Sequence, residues 1–503
     1  MQTLKSQKLV KAISACKTSK IYLCLIFLLF PAVNAYSDIN SSVVKIYTVS
    51  SEFDYASPWQ YSESTDIFGS GCIIDNHRIL TNAHVVAGYK FIQVRRAGHV
   101  KKYKAVVEYF AHDCDLALLR VEDDSFFTGS TAFEIGELPK IRDRITVYGF
   151  PEGGDELSIT EGVISRIEHE LFPTSIVKLL TCQIDAALNP GNSGGPVVKN
   201  DKLIGVAFKV GTGENVGYII PSPIIYRFLS DIKDGHYDGI PDLLITYQPM
   251  ENYFLHKKFK MSEKQSGVII NRIHTGSPVE SVLKTDDIIL SIDGHNIEND
   301  GSTVLRKGEK LSFEYIIQQK LLYTTVQIEV LRNGVVEIKN IKLSKTINDV
   351  SLIPCLPVDK PPSYYILAGL LFRPVAVNYL RLWGDKWYDD APKLLLHQIF
   401  TGFPTSERKE IVILSKVLAA DINTGYHDYR DMVIESVNGI RITSLVDLVK
   451  AIEGHQGDYH VIESDSGQKV ILGRKEAKES TPEILRTYGI NALCSEDLAE
   501  IVK

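Results

Sequence analysis

Residues 189–196 read Asn-Pro-Gly-Asn-Ser-Gly-Gly-Pro, a tight turn with Ser193 near its centre. The glycines permit the sharp turn, and a turn of this kind can direct backbone amides toward an oxygen that is gaining negative charge. A serine hydroxyl is a weak nucleophile, so it reacts only where a neighbouring imidazole takes its proton. If this turn is reactive, the chain must therefore supply a histidine base elsewhere.

The candidate base is His84, in residues 80–86, which read Leu-Thr-Asn-Ala-His-Val-Val. It stands just beyond an apolar run that predicts a strand. Taken alone, such a histidine is more often structural, and a glycine-rich serine segment is usually only a turn. A third group is needed as well, because a carboxylate must hold the imidazole in one tautomer and stabilise the imidazolium.

Two acids compete for this third role, Asp113 and Asp115, on either side of Cys114. Asp115 directly precedes residues 116–119, an apolar run that predicts a strand whose first residues are buried. Asp113 lies in the more polar segment before it. A buried carboxylate anchored by a strand suits the orienting role, so Asp115 is preferred. Three motifs in one order within one region predict a catalytic set of His84, Asp115 and Ser193.

Short apolar or alternating runs surround these motifs, separated by turn signals. The clearest runs are residues 43–47, 91–94, 145–148, 163–167 and 203–210. Several short strands with regular punctuation predict an all-β sandwich or a pair of barrels. After Pro223 the apolar period becomes helical and ends near Gly235, which predicts the close of the domain. Ser70, between two glycines, has no catalytic context and is assigned to the start of a strand.

Residues 81–84 (Thr-Asn-Ala-His), 115–119 (Asp-Leu-Ala-Leu-Leu) and 191–196 (Gly-Asn-Ser-Gly-Gly-Pro) resemble the three catalytic motifs of the Deg/HtrA serine proteases. The resemblance continues through residues 148–151 and 215–221 and covers nearly all of the first domain. It implies a mainly β fold that begins with a trypsin-like double β-barrel protease domain, residues 36–240. The implied activity is ATP-independent cleavage of unfolded or misfolded proteins through an acyl-enzyme.

By the same resemblance, the backbone amides of Gly191, Asn192 and Ser193 form the oxyanion hole. The substrate pocket is expected partly on the strand after the nucleophile, at Ala207 and Phe208, with residues 218–220, including Ile220, nearby. None of these side chains is acidic, so a buried basic substrate side chain would lack a partner. The sequence therefore predicts cleavage after small or medium apolar residues.

The region 241–348 resembles a PDZ domain of the bacterial protease type, through residues 266–270, 275–278 and 283–294. A glycine and an apolar residue before a strand present free amides, and an exposed edge can accept a peptide as an added strand. Gly267 and Val268 are therefore the predicted contacts with the carboxylate or main chain of a peptide.

A second, weaker PDZ-type domain is predicted at residues 349–503, with Gly369 and Leu370 in its candidate binding loop. Residues 383–410 form a long insertion that departs from the usual pattern, and we expect it to block or replace the peptide groove. The alternative is an interaction platform that binds no free peptide. The resemblance here is closest to the plant-type two-PDZ Deg proteases and implies homo-oligomers, either trimers or hexamers built from trimers.

The first 35 residues combine five lysines and no acid with the apolar run 21–30, followed by Ala-Val-Asn-Ala at 32–35. This order is typical of a secretory signal peptide, so we expect cleavage after Ala35 and a periplasmic or secreted protein without a stable membrane span. Two alternatives remain open: a plastid or mitochondrial transit peptide, favoured by the missing acids, and an uncleaved anchor.

The 503 residues exceed what one core usually organises and favour about three domains. Lys and Arg number 55 against 62 Asp and Glu, a net charge of −7, and the loss of five lysines and no acid lowers it to −12. A surface like that repels nucleic acid and anionic membranes. Five cysteines follow residue 35, so at least one thiol should stay free. No metal or nucleotide motif appears, and no cofactor is implied.

A second function belongs to a different class. PDZ-type modules in an oligomer could hold misfolded chains as a chaperone or scaffold, with proteolysis minor or switched off. Ser193 and His84 are both intact, which favours the protease.

Overall fold

The structure is a computed structural model that describes residues 39–210 and 216–502. Residues Asp38–Lys503 group as one compact unit. The predicted signal peptide, residues 1–35, lies outside the described residues, and its cleavage stays a prediction.

Six strands close into a first barrel in the order β1-β2-β3-β6-β5-β4. Their bounds are β1 Val43–Ser50, β2 Thr65–Ile74, β3 Arg78–Thr81, β4 Tyr89–Arg96, β5 Tyr103–Ala111 and β6 Leu116–Val121. Branched apolar side chains such as Ile46, Ile79 and Leu119 meet inside this barrel and are fully buried. Isoleucine favours strands because its β-branched side chain packs well on a pleated surface.

Six further strands close into a second barrel in the order β10-β11-β12-β9-β8-β7. Their bounds are β7 Arg144–Gly149, β8 Ser158–Leu171, β9 Lys178–Ile184, β10 Pro196–Lys199, β11 Lys202–Val210 and β12 Gly217–Pro221. Each of the five predicted apolar runs lies inside one of the twelve barrel strands, so the all-β prediction is confirmed as a pair of barrels. A shared cluster that includes Leu118 of the first barrel and Phe150 and Phe208 of the second packs the two barrels together.

Helix α1 (Ser222–Asp231) follows the second barrel, where the sequence predicted it. Ile224, Ile225 and Phe228 form its buried face. The chain then turns at Gly235, whose φ of +96° lies in the left-handed region that glycine adopts without strain.

The next region is a sheet in the order β13-β14-β15-β19-β20, with β16 paired to β15, and a separate hairpin of β17 and β18. The strands are β13 Ile245–Pro249, β14 Val268–Ile273, β15 Ile288–Ile292, β16 His295–Asn296, β17 Ser302–Arg306, β18 Glu309–Ser312, β19 Thr325–Arg332 and β20 Val335–Lys342. Helices α2 (Tyr253–Lys258) and α3 (Glu314–Gln318) accompany them.

The predicted peptide contacts of Gly267 and Val268 do not fit this sheet. Val268 pairs with Pro249 on one side and Ile289 on the other, so neither edge of its strand is free. The Gly267 amide donates to Asn299 Oδ1 at 3.1 Å. The sequence prediction failed because β13, about twenty residues upstream, covers the edge that the local pattern left open.

The last region is a sheet in the order β21-β22-β23-β24-β26-β27, with β25 paired to β24. The strands are β21 Tyr365–Leu367, β22 Leu370–Pro374, β23 Val412–Val417, β24 Met432–Val437, β25 Ile440–Arg441, β26 Tyr459–Ser464 and β27 Lys469–Gly473. The helices are α4 Val377–Leu380, α5 Trp387–Asp390, α6 Lys393–Thr401, α7 Leu445–Glu453 and α8 Arg474–Thr487.

Gly369 and Leu370 do not form an open binding loop. Strand β21 pairs with β22, and the two residues that join these strands, Ala368 and Gly369, both have positive φ, as a tight hairpin turn requires. Leu370 is fully buried. The chain thus fills the edge beside β22 with its own strand, which agrees with the alternative of a platform that binds no free peptide.

The insertion, residues 383–410, lies elsewhere than predicted. Ala391 and Leu395 join a cluster with Tyr55 from the loop between β1 and β2. Phe403 stacks on His274, at the end of β14, with ring centroids 3.3 Å apart. The insertion therefore packs against the loop between β1 and β2 and against the end of β14, so the expectation that it fills a peptide groove does not fit.

Candidate active site

His84 and Asp115 lie together between the barrel strands that the sequence predicted. His84 follows β3, and Asp115 directly precedes β6, the strand paired with β3. The His84 Nδ1 lies 2.6 Å from Asp115 Oδ2, and the His84 amide donates to Asp115 Oδ1 at 2.8 Å. Both carboxylate oxygens thus hold the same histidine, and the imidazole is left with Nε2 for a substrate or a nucleophile.

Asp115 is fully buried and has φ of +53°, a conformation that is uncommon for residues other than glycine. Its carbonyl accepts from the Ala83 amide at 3.1 Å and from Asn82 Nδ2 at 3.0 Å. These bonds hold the backbone of Asp115 in its unusual conformation and thereby position its carboxylate. Burial by itself would lower the pKa of His84, but the charge of Asp115 and the hydrogen bond to it outweigh burial and raise that pKa.

Ser193 lies in the loop between β9 and β10 and is not joined to the pair by a hydrogen bond. Its Oγ donates to the Phe208 carbonyl at 3.4 Å, and within residues 39–210 and 216–502 it has no bond to His84. The neighbouring Gly194, with φ of +84°, fits closely against the first barrel. A Cβ there would lie 2.1 Å from the Ser70 carbonyl oxygen and 2.3 Å from Thr81 Oγ1. The loop that carries Ser193 therefore packs against Thr81, three residues before His84 in the sequence. The Ser193 hydroxyl is turned toward β11.

The three predicted oxyanion-hole amides are not equivalent. The Asn192 amide donates to the Asn189 carbonyl at 3.0 Å, so it is not available to a substrate oxygen in this conformation. The amides of Gly191 and Ser193 have no hydrogen-bond acceptor in the part of the chain that the structure describes. The Pro190 carbonyl accepts from the Glu152 amide at 2.8 Å, which fixes the peptide plane that carries the Gly191 amide. The arrangement leaves two free donors beside the Ser193 hydroxyl.

Ser70 is the site residue that sequence reasoning missed. It is fully buried in β2, and its Oγ donates to the Gly191 carbonyl at 2.7 Å and accepts from the Phe150 amide at 2.8 Å. Its own amide donates to the Ser193 carbonyl at 2.8 Å. The available signal was a Gly-Ser-Gly segment inside a strand, since glycines there mark the close approach of another backbone.

The predicted pocket residues are buried but face two different sides of their strands. Ala207 lies in the interior cluster of the second barrel, whereas Phe208 and Ile220 belong to the cluster between the barrels. Phe208 stacks on Phe172 with ring centroids 4.5 Å apart. The three residues therefore do not line one common wall, and Phe208 contributes its backbone carbonyl to the site in addition to its ring.

Leu188, five residues before Ser193, was not predicted and packs against the cluster that contains Ala207. It also closes over Gly217, where a Cβ would lie 2.6 Å from Leu188 Cδ1. An apolar side chain at this place extends the apolar wall next to the nucleophile loop.

Asp113, the competing acid, has a different role. Its carboxylate accepts a short hydrogen bond from the Tyr237 hydroxyl and another from the Ile240 amide at 2.9 Å. Arg227, almost fully buried, pairs with Asp231 at 3.0 Å and reaches the same tyrosine hydroxyl at 3.4 Å. Asp113 thus ties the segment after α1 to the first barrel and does not contact His84.

Among the described residues, no group of three or more His, Cys, Asp and Glu side chains is arranged to hold a metal ion. The five cysteines in this part of the chain, Cys72, Cys114, Cys182, Cys355 and Cys494, are all free thiols. No helix there is long and apolar enough to cross a membrane.

Residues 69–206 match the family of trypsin-like peptidase domains, and residues 353–497 match the PDZ domain family. The chain is 38% identical to putative mitochondrial protease Do-like 3 of Arabidopsis thaliana, over 91% of this chain and 80% of that protein. It is 37% identical to mitochondrial protease Do-like 4 of the same plant, over 90% of this chain and 84% of that protein. A solved HtrA-type protease, AlgW with a decapeptide, is 23% identical over 62% of this chain and 97% of its own, with a TM-score of 0.47.

These matches define a serine endopeptidase in which a trypsin-like peptidase domain is followed by a PDZ domain. The chain belongs to the Deg/HtrA family of proteases, with plant Do-like proteases among its relatives. The family resemblance that the sequence motifs suggested is thereby confirmed.

The predicted periplasmic or secreted location is wrong. Several plant relatives are designated mitochondrial and two are designated chloroplastic, which points to an organelle. The error has a physical reason, because a basic start without acids followed by an apolar run suits an organellar transit peptide as well as a secretory signal. The choice between the two could not be made from composition.

Proposed function

We propose that this chain is an ATP-independent endopeptidase that cleaves unfolded or misfolded proteins through an acyl-enzyme on Ser193. His84 serves as the base and Asp115 orients it. The observation that carries the proposal is the two-point hold of Asp115 on His84, on Nδ1 and on the backbone amide. That hold leaves Nε2 as the proton acceptor, as the reaction of a serine nucleophile needs.

In the first step, Ser193 Oγ attacks the peptide carbonyl carbon while its proton passes to His84 Nε2. The carbonyl oxygen becomes an oxyanion and is held by the amides of Gly191 and Ser193, the two donors that have no partner within the protein's described residues. The carbon–nitrogen bond then breaks, and the leaving amine takes the proton from His84. Water repeats the sequence on the ester, so Ser193 is regenerated.

For this step the Ser193 hydroxyl must leave the Phe208 carbonyl, at 3.4 Å, and turn toward His84. Hydrogen bonds of catalytic groups are often long in an unoccupied site and tighten once substrate is bound. The backbone of the loop is fixed by Ser70 and Glu152, so we propose that a rotation of the Ser193 side chain brings its hydroxyl to His84.

The apolar residues next to the loop support a proposed substrate class. Leu188 and Ala207 are apolar and share one cluster, and no charge on them compensates a buried cation. We therefore propose cleavage after small or medium apolar residues, with Leu188 replacing Phe208 and Ile220 as the wall residue beside Ala207. Cleavage-site mapping on an unfolded protein tests this, and frequent cleavage after Lys or Arg would contradict it.

The proposal includes the division of the chain into a protease domain, residues 36–240, and PDZ-type domains at 241–348 and 349–503. It also includes assembly into homo-oligomers and, by the designations of the plant relatives, work inside an organelle. Unfolded proteins and peptides are the proposed partners.

One observation favours a second function, that of a holdase in which proteolysis is switched off. The Ser193 hydroxyl is bonded to a carbonyl rather than to the base, so the conformation described is not yet poised for attack.

A fluorophosphonate probe separates the two functions at the residue level, because it reacts only with an activated serine. We expect the full chain to be labelled at Ser193, found by mass spectrometry of the digested protein, and both Ser193→Ala and His84→Ala to remain unlabelled. A full chain that takes up no probe at any temperature while suppressing aggregation would favour the holdase.

A further inference from the structure

A cavity of about 290 Å³ lies in the second PDZ-type region, between strand β21 and helices α7 and α8. Most of its walls are apolar, with side chains from β21, both helices and the C-terminal segment. They include Ile366, Leu367, Ile452, Leu485, Leu493 and Val502. An apolar cavity of about 150 Å³ holds a molecule of the size of benzene, so this one can receive an acyl chain of roughly ten carbon atoms.

A polypeptide has no strand edge to pair with at this cavity, because the C-terminal segment lies along the side of β21 that does not face β22. The Ile366 amide donates to the Leu493 carbonyl at 3.0 Å. The Ser495 amide donates to the Tyr364 carbonyl, also at 3.0 Å. A peptide that adds to a sheet as a strand needs such backbone groups free. The cavity can therefore receive a small molecule but not an added strand.

One end of the cavity is basic. Arg474 and Lys478 stand one turn apart near the start of α8, and Leu485 follows on the same helix. Among the described residues neither cation forms an ion pair. Glu453, the one acid among the described residues on this wall, accepts from the Tyr365 hydroxyl at 2.8 Å. Two unpaired cations and one bonded acid favour an anionic ligand.

His460 supplies a hydrogen-bond donor without a partner at this end. It is 3% exposed and lines the cavity. Asn438 Oδ1 accepts from the Val461 amide, so the Asn438 Nδ2 is the donor that lies 3.3 Å from His460 Nδ1. The proton of the neutral ring is therefore on Nε2, which no described residue accepts. A buried donor without an acceptor is costly, and a ligand oxygen would satisfy it.

The charges around His460 also favour an anion. Burial, His455 and Arg474 together lower the pKa of His460 to about 4, so its ring is neutral near pH 7. The rings of His455 and His460 lie with their centroids 5.5 Å apart. A carboxylate at this place would be attracted by Arg474 and would accept from His460 Nε2.

We propose that this cavity binds a medium-chain carboxylate, a free fatty acid of about ten carbon atoms, with its acyl chain against the apolar walls and its carboxylate at Arg474, Lys478 and His460. The ligand is recognised by one terminal charge and an apolar chain, not by a peptide backbone. The site does not include Ser193, and its occupancy involves no covalent step.

The test is isothermal titration of the full chain with decanoate, 1-decanol, decylamine and an apolar pentapeptide that has a free carboxyl end. We expect decanoate to bind about tenfold tighter than decanol, because hydrogen bonds to a charged group are stronger than those to a neutral one. Decylamine and the peptide should bind more weakly than decanoate. Equal affinity of decanoate and decanol, or tighter binding of decylamine or the peptide, overturns the proposal.

Substitutions on α8 locate the effect. Arg474→Gln should remove most of the tenfold preference for decanoate and leave the affinity for decanol unchanged. Lys475→Gln, on the same helix, is the matched control and should retain the full preference, because Lys475 is exposed and pairs with Glu479 outside the cavity.

Leu485→Trp fills the apolar part of the cavity and should abolish the binding of both decanoate and decanol. The thermal midpoint shows whether each variant is folded, and Val502→Trp, on the C-terminal wall, is the second filling variant if Leu485→Trp is not. If the preference for decanoate survives Arg474→Gln, or if decanoate binds a folded filling variant as tightly as the unchanged chain, the ligand lies elsewhere, including the protease cleft, and the proposal fails.

Discussion

The two barrels contribute to the proposed active site in different ways. The first barrel supplies His84 and Asp115 already bonded to each other, and these residues stand beside the paired strands β3 and β6 of that barrel. The second barrel supplies Ser193 and the two free amides in a loop whose backbone is bonded both to Glu152 and Ala207 of its own barrel and to Ser70 of the first barrel. The first half of the site is held within one barrel, whereas the second half depends in part on the way the barrels meet.

This difference predicts where the site is easy to damage. A change within the pair of His84 and Asp115 should alter the chemistry directly, because those atoms hold the proton. A change at the contact between barrels should misplace the amides while the proton transfer stays intact. We therefore expect four effects to decrease in order, from those on the His84–Asp115 pair of the first barrel to those at the periphery of the second barrel.

The largest effect is expected for Asp115→Asn. An amide at this place favours the wrong tautomer of His84, and the corresponding change in a serine protease triad lowers kcat about 10,000-fold. Steady-state cleavage of a fluorogenic apolar peptide measures it. Asp113→Asn is the matched control, because Asp113 bonds to Tyr237 and not to His84, and it should stay within about threefold of the unchanged chain. Equal losses from both changes would contradict the assignment of Asp115.

Ser70→Ala should cost less. It removes the hydroxyl that holds the Gly191 carbonyl, so the turn between the two free amides of Gly191 and Ser193 loses an anchor while both amides remain. Loss of a donor costs about 100-fold to 1,000-fold in kcat, and we expect roughly 10-fold to 100-fold here with KM nearly unchanged.

The control for that substitution is Ser50→Ala, another buried serine, whose Oγ donates to the Ala87 carbonyl at 2.7 Å outside the nucleophile loop. It should lose comparable stability, about 1 kcal/mol, and little activity. If Ser70→Ala changes only stability and leaves kcat as in Ser50→Ala, then the second half of the site does not depend on the first barrel.

The third expectation concerns pH. The proton acceptor must be neutral, and Asp115 raises the pKa of His84 above its ordinary value of 6.5. Activity should therefore fall as the pH falls, with a midpoint of kcat/KM above 6.5. In Asp115→Asn the residual activity should show its midpoint at a lower pH, because the charge that favours the imidazolium is gone. If the pH midpoint of kcat/KM is unchanged in Asp115→Asn, the interaction of His84 with Asp115 does not determine the pH dependence of activity.

The smallest effect is expected at His169, on strand β8 of the second barrel. Both of its ring nitrogens are buried without a partner among the described residues, and burial, aided by the charge of Lys178, lowers its pKa to about 4. The unfolded chain takes up this proton near pH 6.5 and the folded chain only near 4. Stability present above pH 6.5 is therefore lost as the pH falls toward 4.

His169→Gln removes that titration, so its urea midpoint should depend less on pH between 6.5 and 4 than that of the unchanged chain. His99→Gln, at an exposed site of the first barrel, is the control and should retain the full dependence. If the urea midpoint depends on pH equally in all three chains, His169 is not the group that destabilises the protein in acid.

The comparison of barrels also explains what the sequence could predict. His84 and Asp115 were found because each stands at the end of a local apolar strand, and the two strands are neighbours. The hydrogen bond from Ser70 to Gly191 joins residues that lie 121 positions apart in the sequence. Its only signal in the sequence is the glycine on either side of Ser70. The hydrogen bond of the Asn192 amide to the Asn189 carbonyl was not predicted, because it depends on the exact path of the turn.

The same reasoning applies beyond the barrels. Gly267 and Val268 have the local pattern of a peptide-binding edge, but edges are decided by the order of strands in the sheet, and β13 pairs there first. Gly369 likewise lies in a hairpin turn and Leu370 begins β22, because β21 folds back on β22. Both errors concern pairing between strands, which a local motif does not contain.

Cleavage of an unfolded protein by the full chain tests the protease function most directly. Reduced casein is incubated with the unchanged chain and with Ser193→Ala over a series of temperatures, and fragments are identified by mass spectrometry. We expect cleavage only by the unchanged chain, after apolar residues and without ATP. If Ser193→Ala cuts as well, the nucleophile is another residue. If both chains fail to cut at every temperature but suppress aggregation equally, the protein acts as a holdase.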